Sequence, residues 1–193
     1  MDIEYEAKFT KINKDDFRKK LKSVGAKLVK PETLYKRVVF FPPKGHEIFG
    51  SWIRVRDEGD KVTMSYKVTT NGNIKTQKEI MLIVDNYDNA CKFLLNLGCI
   101  EKAYQETKRE IWDINGVEIT IDEWPYLEPY TEIEGKNEES VRKVAEILGF
   151  DYHQAVFGAV DQIINKKYGI PENIINDKIK RIVFNEKNPF LKW

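Results

Sequence analysis

Side chains in the first ten residues alternate in character. In an extended chain Ile3, Tyr5, Ala7 and Phe9 fall on one face and Glu4, Glu6 and Lys8 on the other. The apolar face is supplied by the first set, so the charged face must meet water, a metal or a ligand. The same period of two returns along the chain. Trp52, Arg54 and Arg56 oppose Ile53 and Val55, and Thr63, Ser65 and Lys67 oppose Val62, Met64, Tyr66 and Val68. Lys75, Gln77 and Glu79 follow, then Thr107 and Arg109. Glu118, Thr120 and Asp122 oppose Val117, Ile119 and Ile121, and Glu132 and Glu134 straddle Ile133. The pattern predicts strands over 2–10, 33–41, 50–57, 61–69, 75–84, 104–113, 116–123 and 130–135.

Between them the period changes to that of amphipathic helices, each closing on a glycine. Residues 13–25 offer Asn13 as a cap, then Phe17, Leu21 and Val24 before Gly25. Residues 86–98 carry Ala90, Leu94 and Leu97 before Gly98, and 138–149 carry Val141, Val144, Ala145 and Leu148 before Gly149. Asp57-Glu58-Gly59-Asp60, Asn71-Gly72 and Asn115-Gly116 read as turns, so neighbouring strands are expected to pair antiparallel, and Pro42-Pro43-Lys44-Gly45 reads as a loop. From about 153 a tail holds one more helix, ending near Tyr168-Gly169-Ile170-Pro171, with Phe157, Val160, Ile163 and Ile164 at helical spacing; the last twenty residues have no clear period. This tail is expected to pack on the barrel, to plug one of its ends or to mediate dimerisation.

A solvated sheet face would also alternate, but such faces mix acids and bases without order, and here they segregate by strand. If the sheet closes into a barrel, the charged faces can point inward while the apolar faces pack against helices outside. The bore then holds Lys8, Arg54, Arg56, Lys67 and Arg109 against Glu4, Glu6, Asp122, Glu132 and Glu134 and is formally neutral. Such a bore suits a polyanion together with a divalent cation: carboxylates give hard oxygen ligands to Mg2+ or Mn2+, and guanidinium and ammonium groups take phosphate oxygens.

Composition narrows the alternatives. With Lys and Arg at 32 against 31 acids there is no basic excess of the kind that holds duplex nucleic acid. His46 and His153 have no partners at metal-ligand spacing, which leaves a zinc site and a Ser-His-Asp triad without their parts, and no glycine-rich phosphate loop occurs. No apolar run approaches the roughly 18 residues of a membrane helix. Cys91 and Cys99 lie on or just after one helix, and the chain is read as reduced, soluble and cytoplasmic.

Taken together these residues resemble the CYTH family, the triphosphate tunnel metalloenzymes, which includes class IV adenylyl cyclases, thiamine triphosphatases and inorganic triphosphatases. Its Glu-x-Glu-x-Lys signature falls on Glu4, Glu6 and Lys8, its Arg-x-Arg strand on Arg54 and Arg56, the next strand lysine on Lys67, its Lys-Arg segment on Lys108 and Arg109, and its late acids on Asp122, Glu132 and Glu134. The resemblance implies an α+β fold, an eight-stranded antiparallel closed β-barrel with helices packed outside, in a domain over 1–170 with 171–193 as a tail on the barrel or at a subunit interface. It implies Lys8, Arg37, Arg54, Arg56, Lys67, Lys108 and Arg109 as triphosphate ligands, Glu4, Glu6, Asp122, Glu132 and Glu134 as ligands to Mg2+ or Mn2+, and Glu6, Glu132 and Lys8 as the catalytic groups. Residues 34–41 depart from the family's Tyr-Phe-Asp ending, so Arg37 is read either as a phosphate ligand or as an exterior charge. Glu79 is an additional candidate for the bore. Trp52 would stack on a substrate ring or pack at the barrel rim. The implied activity is hydrolysis of an inorganic, nucleoside or thiamine triphosphate. The alternatives are cyclisation of ATP to cyclic AMP and pyrophosphate, and a non-catalytic sensor of polyphosphate or nucleotide. A homodimer is also possible.

Overall fold

The computed structural model describes residues 1–69 and 73–193; the Asn71-Gly72 turn lies outside these. The chain begins with β1 (Asp2–Ile3) and β2 (Tyr5–Thr10), then α1 (Lys14–Ser23), β3 (Lys27–Phe41), β4 (Ser51–Asp57), β5 (Val62–Thr69) and β6 (Gln77–Val84). It continues with α2 (Tyr87–Asn96), β7 (Ile100–Ile114), β8 (Val117–Glu123), β9 (Tyr130–Gly135) and α3 (Glu138–Leu148). After a 3-10 turn at Tyr152–Gln154 come α4 (Asp161–Tyr168), α5 (Glu172–Lys178), β10 (Arg181–Ile182) and a last 3-10 turn at Pro189–Lys192.

The sheet order is β1-β6-β5-β4-β3-β7-β8-β9-β2, and its two ends are one piece of chain. Asp2 and Ile3 pair with Glu79 and Lys78, the Glu4 N–H donates to the Gln77 carbonyl at 3.0 Å, and from Tyr5 onward the strand pairs with β9 instead. The first segment is thus a single stave interrupted at Glu4, and the sheet closes into the antiparallel barrel of eight staves that the family resemblance implies. Where β2 leaves β6 the seam is filled by the chain at Val156, whose N–H and carbonyl exchange hydrogen bonds with Lys8.

The helices form as their sequences dictate. The Asn13 side chain accepts from the N–H groups of Asp15 and Asp16 at 3.1 Å, and α3 ends on Gly149 at φ +88°. Phe17, Leu21, Val141, Val144, Ala145 and Leu148 bury against the outward faces of β2, β8 and β9 at Ala7, Phe9, Ile119 and Ile133. Ala90 and Leu94 cover Val38, Phe40 and Val55. Leu97, expected on the same stripe, is exposed because the helix stops at Asn96 and Leu97 is its cap residue.

Three differences from the sequence reading have local causes. Strands β3 and β7 are each 15 residues long, well beyond the predicted 33–41 and 104–113. Register shifts on either side of Lys30 absorb Pro31, whose missing N–H hid the first half of β3 from the pattern. Lys75 belongs to a turn rather than to β6, since Asn73 accepts from the N–H groups of Lys75 and Thr76. The tail holds two helices and a strand rather than one helix. Gly169 at φ +71° ends α4, Pro171 precedes α5, and β10 pairs parallel with β7 at Tyr104 and Gln105. Ile163, Ile164, Ile175, Ile179, Ile182 and Phe190 pack on Trp124, Leu127 and Tyr130, so this layer caps one end of the barrel. Among the described residues no helix is long and apolar enough to cross a membrane.

Candidate active site

The barrel encloses a cavity of about 670 Å³. Strand phase decides what lines it: on each stave the residues that share a face with the apolar helix contacts turn outward, and their neighbours turn in. Around the wall, β5, β4, β3 and β7 present Lys67, Arg54 and Arg56, Arg37, and Arg109. The staves β8, β9, β2 and β6 complete the circle with Glu118, Glu132 and Glu134, Glu4 and Glu6, and Glu79. The bore therefore has a mainly basic half, in which Glu58 bonds Arg56, and an acidic half in which, among the described residues, Lys8 is the cation.

Register sharpens this separation. Arg37 is the cross-strand partner of Arg56, while Glu134 is the partner of both Glu6 and Glu118. Like charges directly opposite each other are destabilising, so folding alone gives no reason for either arrangement. Where the halves meet, ion pairs form. Arg109 donates from Nε to Asp122 at 2.7 Å and from Nη2 to Glu132 at 2.5 Å. Lys67 Nζ lies 2.9 Å from Glu4 and 3.6 Å from Glu79, and Arg54 Nη2 lies 3.2 Å from Glu79. Lys8 bonds Glu6 and lies 3.5 Å from Glu132. Arg56 is held by Glu58 at 2.6 Å.

The titration of the two halves reflects the crowding. Burial, with Arg56 and Arg109 adding to it and Glu79 and Glu4 opposing, pushes Arg54 down to about 10; burial and the charges of Arg54, Arg56 and Arg109 push Arg37 down too. On the acidic side burial raises Glu4 to about 8, against the pull of Lys67 and aided by Glu79 and Glu6. Burial, then Glu6 and Glu118, raise Glu134 to about 7. Not every group is raised, since against burial Lys67 and Arg54 hold Glu79 down and Arg109 and Lys8 hold Glu132 down. Among the described residues the bore charges without an ion pair are Arg37 on the basic side and Glu118 and Glu134 on the acidic side.

The family profile of the CYTH domain matches residues 2–163. The chain belongs to the CYTH family. Among solved structures it is similar to the PH1012 protein of Pyrococcus horikoshii, with 22% identity, a TM-score of 0.66, and 79% of this chain and 93% of that chain covered. A candidate adenylate cyclase from Vibrio parahaemolyticus superposes with a TM-score of 0.73 at 14% identity, over 85% of this chain and 98% of that one. A candidate adenylyl cyclase from Hippeastrum, described as having a dominant triphosphatase activity, gives a TM-score of 0.56 at 12% identity over 88% and 98%. At these identities the likeness is one of fold. No curated protein matches the sequence.

Within this CYTH barrel the residues expected from sequence separate into three groups. Glu4, Glu6, Lys8, Arg54, Arg56, Lys67, Arg109, Glu132 and Glu134 converge on the bore, as do Glu79 and Arg37, and Trp52 stands on the wall beside Lys67. Asp122 is fully buried behind Arg109, bonded to it and to Thr120, and does not reach the cavity. Lys108 turns to the outer face, 3.5 Å from Glu123 and 4.7 Å over the Phe184 ring, because Arg109 next to it turns in. Glu58 and Glu118 are bore residues that the reading of turns and faces left without a role. Glu58 continues the inward parity of Arg54 and Arg56 into the turn, a signal the sequence does carry.

The donor set of the acidic half fits a hard divalent cation, being all carboxylate oxygen. Glu6 is turned to Lys8, however, and Glu132 to Arg109, and among the described residues no three such side chains converge on one point.

A prediction follows from the raised carboxyls. A group held above its unfolded value of 4.5 binds its proton more tightly in the folded state, so its contribution is complete below that value and lost as pH rises through the folded one. In cation-free buffer the stability of the wild type relative to Glu134→Gln should therefore fall as pH rises from about 5 to about 8, in urea denaturation series, since the glutamine does not titrate. Mg2+ should oppose the fall. A constant difference across this range would contradict the crowding of Glu134 by Glu6 and Glu118.

Proposed function

We propose that this CYTH protein is a divalent-metal-dependent triphosphatase that binds its substrate inside the bore. The reading rests on one observation: across a single cavity a wall of arginines, in which Arg37 has no ion pair among the described residues, faces a wall of carboxylates, in which Glu118 and Glu134 have none. A triphosphate lying against Lys8, Arg54, Arg56, Lys67 and Arg109 has its charge spread over fixed donors in a site of low dielectric, where positioning and electrostatics are worth most. A Mg2+ or Mn2+ ion held by Glu4, Glu6, Glu132 and Glu134 would neutralise charge on the phosphate oxygens as it develops. Phosphate entry competes for Lys8, Lys67 and Arg109, and the carboxylates they release are those left to hold the cation. Glu6 or Glu132 orients the attacking water, whose oxygen bonds to the γ-phosphorus as the bridging oxygen departs. Lys8, which bonds Glu6 and lies 3.5 Å from Glu132, would hold a γ-oxygen. The free thiols of Cys91 and Cys99 fit a reducing, cytoplasmic setting.

Incubation with ATP, thiamine triphosphate and tripolyphosphate in Mg2+ or Mn2+, followed by separation of products, tests the proposal. Orthophosphate release is the expected result. Cyclic AMP with pyrophosphate would replace it by a cyclase, and tight binding without turnover of any substrate would replace it by a sensor.

A further inference from the structure

The cavity continues past the arginines into a compartment beneath α4 and α5. Its walls there include the apolar Val39, Ala103, Ile164, Ile175 and Ile182, and among the polar side chains set between them three form a chain of hydrogen bonds. Lys102 Nζ donates to Asn176 Oδ1 at 2.8 Å, and Asn176 Nδ2 donates to Asp161 Oδ2 at 2.6 Å. All three also line the cavity. The family match ends at residue 163, so α5 and its Asn176 lie outside the matched residues.

Arg37 stands at the junction between bore and compartment. It is 7% exposed, stacks 4.7 Å from the Trp124 ring, and donates from Nη2 to Thr107 at 2.7 Å, but its Nε has no partner. Among the described residues its charged neighbours are Arg54, Arg56 and Arg109 rather than carboxylates. A buried guanidinium without a counter-ion is costly, and a phosphate at this point would supply one.

Beyond Arg37 the chemistry changes sign. Among the described residues that line it, the acids Asp161, Glu172 and Asp177 outnumber the cation Lys102, so a further phosphate is disfavoured, whereas a group that donates hydrogen bonds is accommodated. Asp161 accepts from the Gln162 N–H at 2.9 Å and from Asn176, which leaves about two of the four lone-pair positions of a carboxylate open. Asn176 has a second amide hydrogen to give. An acceptor and a donor side by side between apolar walls match a flat ring with an exocyclic amine next to a ring nitrogen.

We propose that the compartment under α4 and α5 receives the organic group of the triphosphate, an amino-substituted heterocycle. Asp161 and Asn176 are its specificity-determining residues, and Arg37 takes the phosphate adjoining it. This rests on the triphosphate reading of the bore. Asp161 accepts from the exocyclic amine, Asn176 donates to the ring nitrogen, and Lys102 fixes the Asn176 amide.

Calorimetric titration in Mg2+ with ATP, inosine triphosphate and tripolyphosphate, each as its methylene-bridged analogue that is not hydrolysed, tests it, because inosine carries a keto oxygen in place of the amine. The wild type should favour ATP over inosine triphosphate by roughly tenfold to a hundredfold, the cost of an unpaired buried polar group. Asp161→Asn should narrow that ratio without levelling it, since an amide can donate to the keto oxygen while the N1–H of inosine still faces the Asn176 amide, and Asn176→Ala should narrow the ATP-to-tripolyphosphate ratio. General loosening of the cap would shift all three ligands together. Wild-type ratios retained in both variants, with tripolyphosphate still bound, would overturn the compartment alone. Binding of ATP without binding of tripolyphosphate would overturn the bore reading instead.

Discussion

Glu6→Gln combined with Glu134→Gln is expected to lower metal-dependent turnover by about a hundredfold or more, a typical loss when positioned acid, base or charge-stabilising groups are removed. The fold should survive. The two residues are register partners on adjacent staves, and Glu134 is already pushed towards its neutral form by burial, Glu6 and Glu118. Replacing a crowded carboxylate by an isosteric amide removes repulsion and keeps the shape. For Glu134→Gln alone, stability in cation-free buffer near pH 8 should therefore rise while activity falls, the opposed signs expected of a residue kept for function, whereas Glu6→Gln removes the carboxylate bonded to buried Lys8 and offsets that gain in the double variant. Steady-state kinetics alongside urea denaturation measures both. Retained activity, or a fall in stability equal to the loss of activity, would remove these residues from the chemistry.

Arg109→Ala has the largest expected effect on stability. The side chain is hydrogen-bonded to Asp122, which is fully buried, and to Glu132, so its removal strands Asp122 away from water and leaves Glu132 with Lys8 at 3.5 Å. Breaking one side of such a buried pair costs about 3 to 5 kcal/mol, which for a chain of this size is a fall in Tm on the order of 10 °C. The triple variant Arg109→Ala, Asp122→Asn, Glu132→Gln should recover most of that stability, because no charge is left unpaired, but not affinity for tripolyphosphate. Recovery of both would mean that Arg109 serves only the fold. A single variant as stable as the wild type would mean that the network is not buried in solution.

Most of the barrel was legible because a strand's two faces are written in alternate letters. Glu4, Glu6 and Lys8 could not share the face of Phe9, and the structure turns them inward together. The same rule, pressed further, places Lys108 outside once Arg109 is inside, and brings in Glu58 two residues after Arg56 although it sits in a turn. Asp122 shows where parity stops being informative: it faces the interior with Thr120, but the long Arg109 side chain crosses above it and takes both its oxygens. The early half of β3 was hidden by Pro31, whose place in an irregular pairing only the partner strand reveals. The cap was the least legible part. Its helices span 8 and 7 residues, too short to display a period, and the contact that ties α5 to the barrel joins Lys102 to Asn176 across 74 residues of sequence.

The central claim is that the bore is one site for two ions, each supplying the charge the other needs. Titration of the wild type with tripolyphosphate, in the presence and absence of Mg2+, measures this coupling directly. Binding should tighten by about tenfold or more with the cation, and Mg2+ should bind tighter to the same degree once tripolyphosphate is present, because a coupling free energy is reciprocal. Equal affinity with and without the cation, or no binding in either case, would contradict it.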